Sequence, residues 1–291
     1  MAGSIPELRS YVDIFKCPVC GQKMAEEDLK RLFCPNGHSF DLSKDGYVNL
    51  LSRQVTTGYD KKMFTARRLV CADGFYNPLL NIIKRYIIKY VTVENNADML
   101  ILDVGCGEGS LLAGVVAGLS EENNTAAQGV GIDIAKEGIR MAAKYHSGII
   151  WSVANLADMP FTDGRFPVVL NILSPANYTE FNRIMKRNGL LVKVLPGTHY
   201  LEELREALYH GTTRQYYSNK ETAWLFEDNF SLSDARQVKY KIKITPENLE
   251  HIFNMTPLVW GASPESVERL RLFELTEVTV DLTIMAGKKK R

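Results

Sequence analysis

Four residues near the start of the chain have the types and spacing of metal ligands. Two residues separate Cys17 from Cys20, and three residues separate Cys34 from His38. Each turn directs two side chains at one ion, and three thiolates with one imidazole form a tetrahedral set that Zn²⁺ prefers. Because all four ligands are protein groups, Cys17, Cys20, Cys34 and His38 predict a structural zinc site. A redox Cys-x-x-Cys would need a thioredoxin-like βαβ unit, which the neighbouring sequence lacks.

A glycine-rich turn follows an apolar segment in the middle of the chain. Glycines at 105, 107 and 109 let the backbone turn tightly and let a ligand approach it. Their spacing departs from the dinucleotide fingerprint, because the third glycine comes one residue early. Asp103 precedes the first glycine, and its carboxylate would repel a pyrophosphate but suits a cationic amino acid. The pattern resembles motif I of class I methyltransferases, which predicts S-adenosylmethionine as the cofactor and a cofactor site containing Asp103, Gly105, Gly107, Glu108 and Gly109.

Two later segments complete the predicted cofactor site. Asp133 ends the next predicted strand, where its carboxylate can accept hydrogen bonds from ribose hydroxyls. Residues 153–161 resemble the adenine-binding segment of these enzymes, in which an acidic residue often precedes the loop. Here Asn155 and Leu156 occupy that place, so an amide oxygen would meet the adenine amine.

Strand and helix patterns alternate from Met99 onward, which predicts a parallel, doubly wound sheet. Strong period-2 alternation in the last third predicts an antiparallel edge pair that closes the sheet. The fold class is therefore α/β, a Rossmann-like class I methyltransferase fold with a mixed seven-stranded sheet and a small N-terminal zinc-binding module. We divide the chain into three parts: a zinc-binding RNA-recognition module at 1–52, a helical basic linker at 53–95, and a methyltransferase domain at 96–291.

Composition and charge narrow the class of protein. The chain has 291 residues, 45% hydrophobic and 24% charged, with a net charge of +1 and five cysteines. These values argue against general disorder and a disulfide scaffold, and without a long apolar run we expect a cytoplasmic protein that is not in a membrane. Residues 44–90 carry a net charge of +6, whereas residues 97–180 carry −6. The basic stretch suggests a polyanionic partner, although solvated helix faces also carry uneven charge by chance. Its candidate RNA contacts are Arg53, Lys61, Lys62, Arg67 and Arg68.

The order of these motifs resembles one family over nearly the whole chain: the bacterial 23S rRNA guanine-N1 methyltransferases of the RlmA/TlrB type. The resemblance rests on the zinc ligands and on residues 40–51, 66–68, 74–79, 103–109 and 255–257. It implies methylation of N1 of one guanine in a 23S rRNA hairpin, and some members confer resistance to macrolides such as tylosin. It also implies cofactor contacts at Tyr76, Gly107, Glu108 and the His199–Tyr200 corner. Residues 52–60 diverge from the better-known members, which leaves open the choice between two neighbouring guanines.

The catalytic base is not identified by the sequence. Asn171 and Ser174 follow the fourth predicted strand and are candidate pocket residues that hydrogen-bond the guanine edge, although Ser174–Pro175 also reads as a plain turn. Neither side chain is a good base. Two other functions stay open, a small-molecule methyltransferase in which the zinc module is a structural lid and a non-catalytic RNA-binding adaptor. A homodimer is also left open.

Overall fold

The computed structural model describes residues 8–28, 30–53, 55–92, 99–123, 126–272 and 275–290. The N-terminal part begins with a 3₁₀ helix at Leu8–Ile14. Three short strands then form an antiparallel sheet in the order β1-β2-β3: Ala25–Glu27, Arg31–Phe33 and Ser39–Asp41. A fourth strand, β4 (Tyr47–Asn49), leaves this small sheet and joins the large one.

Two helices follow, as the sequence predicts. Helix α1 spans Lys61–Ala72, and the Asp60 side chain caps it by accepting from the Met63 amide at 2.8 Å. Helix α2 spans Asn77–Tyr90 and has a proline in its first turn, where no amide donor is lost. Both helices bury their apolar faces, so the predicted linker is part of the hydrophobic core.

The remaining elements form a large mixed sheet with helices around it. Its strands lie in the order β10-β11-β9-β8-β5-β6-β7-β4, in which β4 to β9 are parallel and β11 is antiparallel to both of its neighbours. The strands are β5 (Met99–Val104), β6 (Ala127–Asp133), β7 (Ile150–Val153), β8 (Phe166–Ile172), β9 (Met185–Pro196), β10 (Phe230–Lys243) and β11 (Glu277–Lys289). The helices are α3 (Ser110–Asn123), α4 (Lys136–Tyr145), α5 (Tyr178–Ile184), α6 (Glu202–Tyr209), α7 (Lys220–Asn229), α8 (Pro246–Asn254) and α9 (Pro264–Leu272), with 3₁₀ turns at Thr213–Gln215 and Pro257–Gly261.

The fold confirms the predicted class and adds one strand. Residues 99–290 supply seven strands of the large sheet, with the predicted antiparallel pair at one edge, and β4 supplies an eighth at the other edge. Within the described ranges, every helix is too short or too polar to span a bilayer.

The N-terminal part packs directly against the methyltransferase sheet. Phe15 and Phe161 are fully buried with ring centroids 5.4 Å apart, and the Lys16 amide donates to the Pro160 carbonyl at 3.0 Å. Burial of each ring contributes roughly 1.5–3 kcal/mol. Strand pairing and core packing therefore join residues before and after position 52. The division of the chain into domains at that position stays a prediction.

Candidate functional site

The four predicted zinc ligands lie together in the N-terminal part. The His38 Nδ1 atom is 3.6 Å from Cys17 Sγ and 3.4 Å from Cys34 Sγ, and Cys20 Sγ is 3.7 Å from Cys34 Sγ. All four ligand atoms lie within 4.8 Å of one another. A zinc tetrahedron with bonds of about 2.0–2.3 Å has edges of roughly 3.3–3.8 Å, so the cluster fits the ion in both donor type and spacing. Backbone hydrogen bonding at Gln22 is the main cause that lowers the pKa of Cys20 to about 6, which favours the thiolate that zinc requires.

The glycine turn lies at the carboxyl end of β5, and its geometry requires glycine. Gly105, Gly107 and Gly109 have φ angles of 80°, 58° and 86°, a region that residues with a Cβ rarely adopt. A Cβ at Gly105 would lie 2.6 Å from the Ser174 side chain, and one at Gly109 would lie 2.6 Å from the Trp151 ring. Gly107 is the least crowded of the three, since a Cβ there would lie 3.5 Å from the Phe64 ring.

A cavity, here called the cofactor cavity, opens beside this turn. Gly105, Gly107, Asp133, Asn155 and Leu156 all line it, so the structure brings together most of the predicted cofactor residues. The Asp133 carboxylate accepts from the Gly107 and Ala135 amides, each at 2.8 Å, which fixes it at the end of β6. The Asn155 Oδ1 atom accepts from the Ala157 amide at 2.9 Å and so shapes its own loop.

Two buried carboxylates lie below the glycine turn. Asp103 and Glu108 are each 1% exposed, and among the described residues nothing donates to Asp103 Oδ1. Burial is the main cause that raises the pKa of Asp103 to about 7, and burial also raises the pKa of Glu108. A carboxylate with one unpartnered oxygen beside a glycine turn suits the cationic amino acid part of S-adenosylmethionine. Asp133 lines the cofactor cavity and would hold that cofactor, whereas Asp103 and Glu108 line neither cavity, and their contact with the cofactor stays a prediction.

Binding of S-adenosylmethionine is expected to weaken as the pH falls below about 7. Asp103 holds a proton below its raised pKa and must release it to face a cation, so affinity at about pH 6 should be about tenfold lower than at about pH 8. Isothermal titration calorimetry across this range measures the effect. The Asp103→Asn variant should show a flatter profile, and equal slopes in both proteins would contradict the assignment.

A second cavity adjoins the cofactor cavity, and we call it the acceptor cavity. Arg67 and Leu173 line both cavities. Tyr76 and Tyr200 line the acceptor cavity, and their hydroxyl oxygens lie 2.8 Å apart. Burial alone would lower the pKa of Arg67, but nearby groups, Tyr76 first among them, raise it above its usual value. A permanent positive charge therefore stands between the two cavities.

The two candidate pocket residues, Asn171 and Ser174, lie together after β8, next to a lysine that the sequence did not indicate. Asn171 is fully buried, and its amide donates to the Val104 carbonyl at 3.0 Å and to Ser174 Oγ at 2.6 Å. Below it, Lys193 is 1% exposed and donates to Asn171 Oδ1 and to the Ser174 carbonyl. Between them, Leu173 has a φ angle of 51°. Asn171 lines neither cavity and holds this loop in place through its hydrogen bonds, whereas Ser174 lines the cofactor cavity.

Lys193 is expected to make stability rise with pH above about 8. Burial lowers its pKa to about 8 from 10.5, so between these values the unfolded chain binds more protons than the folded chain. Between about pH 8 and pH 10.5, the free energy of unfolding should therefore rise by about 3 kcal/mol more in the wild type than in Lys193→Met, which has no group to titrate at this position. Urea unfolding at about pH 7.5 and about pH 10 tests this, and equal gains in both proteins would refute it.

Comparison with known proteins places this chain in a family. Residues 15–55 match the family model described as "RlmA, N-terminal", and residues 101–189 match the one described as "Methyltransferase domain". YxjB of Bacillus subtilis, provisionally named a 23S rRNA (guanine-N(1)-)-methyltransferase, is 40% identical over 278 residues, which are 95% of this chain and 97% of YxjB. The chain belongs to the 23S rRNA (guanine-N1)-methyltransferase family. The 23S rRNA (guanine(748)-N(1))-methyltransferase of Streptomyces fradiae is 29% identical over 280 residues, 94% of this chain and 96% of that enzyme.

Membership of the 23S rRNA (guanine-N1)-methyltransferase family accounts for two bound species. The matched N-terminal region contains all four zinc ligands and β4, so the metal is a structural zinc. The matched methyltransferase region contains the glycine turn and the cofactor cavity's loops, and the cofactor is S-adenosylmethionine.

Not every predicted site residue of this family member lies in a cavity. The His199 ring pairs with Glu202 at 2.5 Å and lines neither cavity, while its neighbour Tyr200 lines the acceptor cavity. Glu108 lies beneath the turn, where it accepts from the Ser110 hydroxyl at 2.6 Å. Gly109 is packed against the Trp151 ring rather than facing the cavity. Tyr76 lines the acceptor cavity and not the cofactor cavity, and Asp103 lines neither. The cofactor roles of all these residues stay predictions.

The predicted RNA contacts of this family member are divided by the structure. Arg67 points into the two cavities, and Arg68 lies 4.2 Å from the centre of the Tyr145 ring, so neither lies on an open basic face. Lys61 and Lys62 are exposed on α1, where Lys62 approaches Glu250 at 3.8 Å. Arg53 lines a third cavity together with Lys136, beside β4. Helix periodicity was the signal that could have separated Arg67 from the exposed lysines.

Proposed function

We propose that this chain transfers a methyl group from S-adenosylmethionine to N1 of one guanine in 23S rRNA. The observation that carries the proposal is that a zinc ribbon of the RlmA type is built into the methyltransferase sheet through β4. Strand β4 pairs with β7, whose carboxyl end leads into Ala154 and Asn155 of the cofactor cavity. The module is thereby held at a fixed distance from the methyl donor, as site-specific modification of a large RNA requires.

The chemistry depends mainly on positioning. N1 lies on the Watson–Crick edge, so the target guanine must be unpaired or flipped out of its stem. Bound in the cofactor cavity, S-adenosylmethionine supplies an electrophilic methyl group. Asp133 would orient the ribose, Asp103 would face the amino group, and Arg67 would face the carboxylate. The loop of Asn171 to Ser174, held by Lys193, would keep the acceptor in line with the methyl group.

The RNA-binding surface proposed for the enzyme lies on the N-terminal part and on the start of α1. We keep Arg53, Lys61 and Lys62 as proposed RNA contacts. We leave Arg67 and Arg68 out of this surface, because Arg67 lines the two cavities and Arg68 lies against the Tyr145 ring. The ion pair between Lys62 and Glu250 is exposed and contributes little, so it can yield to a phosphate. Because the proposed substrate is rRNA, we propose that the reaction takes place in the cytoplasm. An effect on macrolide susceptibility follows only if the protein methylates the guanine that resistance-conferring family members methylate.

Neutralising Lys61 and Lys62 together is expected to reduce the salt dependence of RNA binding. Each lysine that contacts a phosphate contributes about one unit to the slope of log affinity against log salt. The double variant Lys61→Ala, Lys62→Ala should therefore lose about two units and leave cofactor affinity unchanged.

The matched control is the pair Lys239→Ala, Lys241→Ala on β10, the strand at the opposite edge of the sheet from β4. Binding of in vitro transcribed 23S rRNA by filter retention, at several salt concentrations, gives the slopes. Identical slopes in the wild type and the α1 variant would show that these lysines do not contact RNA. The surface would then be sought at Lys16, Lys23, Lys30 and Arg31.

The alternative small-molecule methyltransferase makes a different prediction. Labelled S-adenosylmethionine is incubated with the protein and a lysate from cells that lack the gene, and the lysate is then separated into ribosomal RNA and small molecules. We expect the label in 23S rRNA. Label that appears in the small-molecule fraction and not in RNA would reject the proposal and favour the alternative.

A further inference from the structure

The acceptor cavity carries charge of one sign only. Arg67 and Arg205 line it, whereas no aspartate or glutamate does so among the described residues. Its other walls are aromatic and apolar, and they include Tyr76, Tyr200 and Tyr217. We propose that this cavity holds the target guanine base, flipped out of the RNA, and that Arg205 donates a hydrogen bond to its O6 atom. The inference rests on the proposed function and assigns the residues that select the base.

The position of the cavity suits the acceptor. It shares Arg67 and Leu173 with the cofactor cavity, so the two cavities are adjacent, and the proposal places the base at this shared wall. The left-handed conformation of Leu173, with a φ angle of 51°, turns the chain at this junction. A backbone held in a sparsely populated conformation is a common feature of functional sites. A base in the acceptor cavity would have its N1 atom next to Leu173, on the side of the cofactor's methyl group.

Arg205 has an unused donor in a buried place. Its side chain is 5% exposed, one terminal nitrogen donates to the Thr198 carbonyl, and the other donates to the Gln215 carbonyl at 3.3 Å. Among the described residues nothing accepts from its Nε–H. A buried donor without an acceptor is costly, so a ligand that supplies an oxygen is favoured. The guanidinium is held by the two carbonyls, which fixes the direction of the free donor.

Guanine fits this pattern of donors better than adenine does. Arginine contacts guanine through the acceptors O6 and N7, whereas adenine places an amino donor where guanine has O6. An adenine amine next to Arg205 would leave two donors facing each other in a buried site. The aromatic side chains, Tyr217 among them, would stack on either base and so contribute affinity without selectivity.

The same contact helps to explain catalysis without a side-chain base. The N1–H bond of guanine breaks and the proton passes to water, while the electron pair left on N1 forms the new bond to the methyl carbon. The carbon–sulfur bond of the cofactor breaks, and its electrons remain on sulfur, which becomes neutral. Negative charge develops on N1 and O6 as the proton leaves, and the positively charged Arg205 stabilises it.

The test compares two arginines of the same region. Arg205→Gln is measured beside Arg214→Gln, because Arg214 is exposed, donates to the Gly261 carbonyl at 3.2 Å and lines neither cavity. Single-turnover methylation of in vitro transcribed 23S rRNA should slow by about 10- to 100-fold in Arg205→Gln, while affinities for S-adenosylmethionine and for the RNA stay within about twofold of the wild type. Arg214→Gln should react like the wild type.

A second pair of variants decides the matter if Arg205→Gln fails to fold. Tyr217 lines the cavity, and the adjacent Tyr216 is 79% exposed and does not. Tyr217→Ala should slow methylation at least about tenfold, and Tyr216→Ala should not. Equal rates within both pairs, or a loss confined to cofactor affinity, would overturn the inference. A wild type that methylates no guanine in 23S rRNA would instead reject the proposed function.

Discussion

Replacing Cys34 with serine is expected to remove zinc from the purified protein and to destabilise the whole fold. The serine hydroxyl is a poor zinc ligand, and the remaining three side chains leave the tetrahedron open. The destabilisation should reach beyond the metal site, because Ile14 and Phe15 are buried against the methyltransferase sheet and the Thr162 amide donates to the Ile14 carbonyl at 2.8 Å. We expect the free energy of unfolding to fall by about 4 kcal/mol or more, a part of the ~10–16 kcal/mol typical of structural zinc binding.

Atomic absorption and thermal unfolding measure the two effects of Cys34→Ser. The matched control is Cys71→Ser, because Cys71 lies on α1 outside the zinc cluster and should leave the zinc content at one ion per chain. The wild type treated with a chelator should unfold at the same lowered temperature as Cys34→Ser. Full zinc content in Cys34→Ser, or an unchanged unfolding temperature after chelation, would contradict a structural zinc site.

Replacing Asp133 with alanine is expected to weaken S-adenosylmethionine binding by roughly 10- to 100-fold. The variant loses a charged hydrogen-bond acceptor for the ribose hydroxyls, which costs about 1.5–3 kcal/mol. It also leaves the Gly107 and Ala135 amides without their acceptor, so the glycine turn becomes less well fixed. Both effects act on the same cavity and should appear together in the affinity.

Calorimetric titration of the folded proteins measures the affinity change. Asp158→Ala is the control, because Asp158 is a surface acid with its side chain 72% exposed and its ion pair with Lys16 is long, at 3.6 Å. Asp133→Asn keeps one oxygen acceptor and should fall between the wild type and Asp133→Ala. An Asp133→Ala protein that binds the cofactor as tightly as the control would rule out a role for Asp133 at the ribose.

Local patterns in the sequence were sufficient to predict the parts of the site that depend on neighbouring residues. The zinc ligands follow from two short spacings, and Gly105, Gly107 and Asp133 follow from turns at the ends of predicted strands. The central strands were predictable for a similar reason, because parallel strands buried on both faces are continuous apolar runs.

Contacts between distant segments could not be predicted in this way. Lys193 reads as one polar residue in an apolar strand, and only the folded sheet brings it below Asn171. Arg67 reads as one of a basic cluster, but the turn of α1 directs it into the cavities while Lys61 and Lys62 remain exposed. The eighth strand was missed because three residues, Tyr47–Asn49, carry too weak a strand pattern to indicate their partner.

The proposed function is defined by the atom and the nucleotide that receive the methyl group. The purified protein is incubated with in vitro transcribed 23S rRNA and S-adenosylmethionine, and the RNA is analysed by nucleoside mass spectrometry and by reverse transcription. We expect N1-methylguanosine and one strong stop to reverse transcription, since a methyl group at N1 blocks the Watson–Crick edge. A methyl group on another atom or another base, or rRNA that stays unmodified while the protein binds the cofactor, would contradict the proposed function.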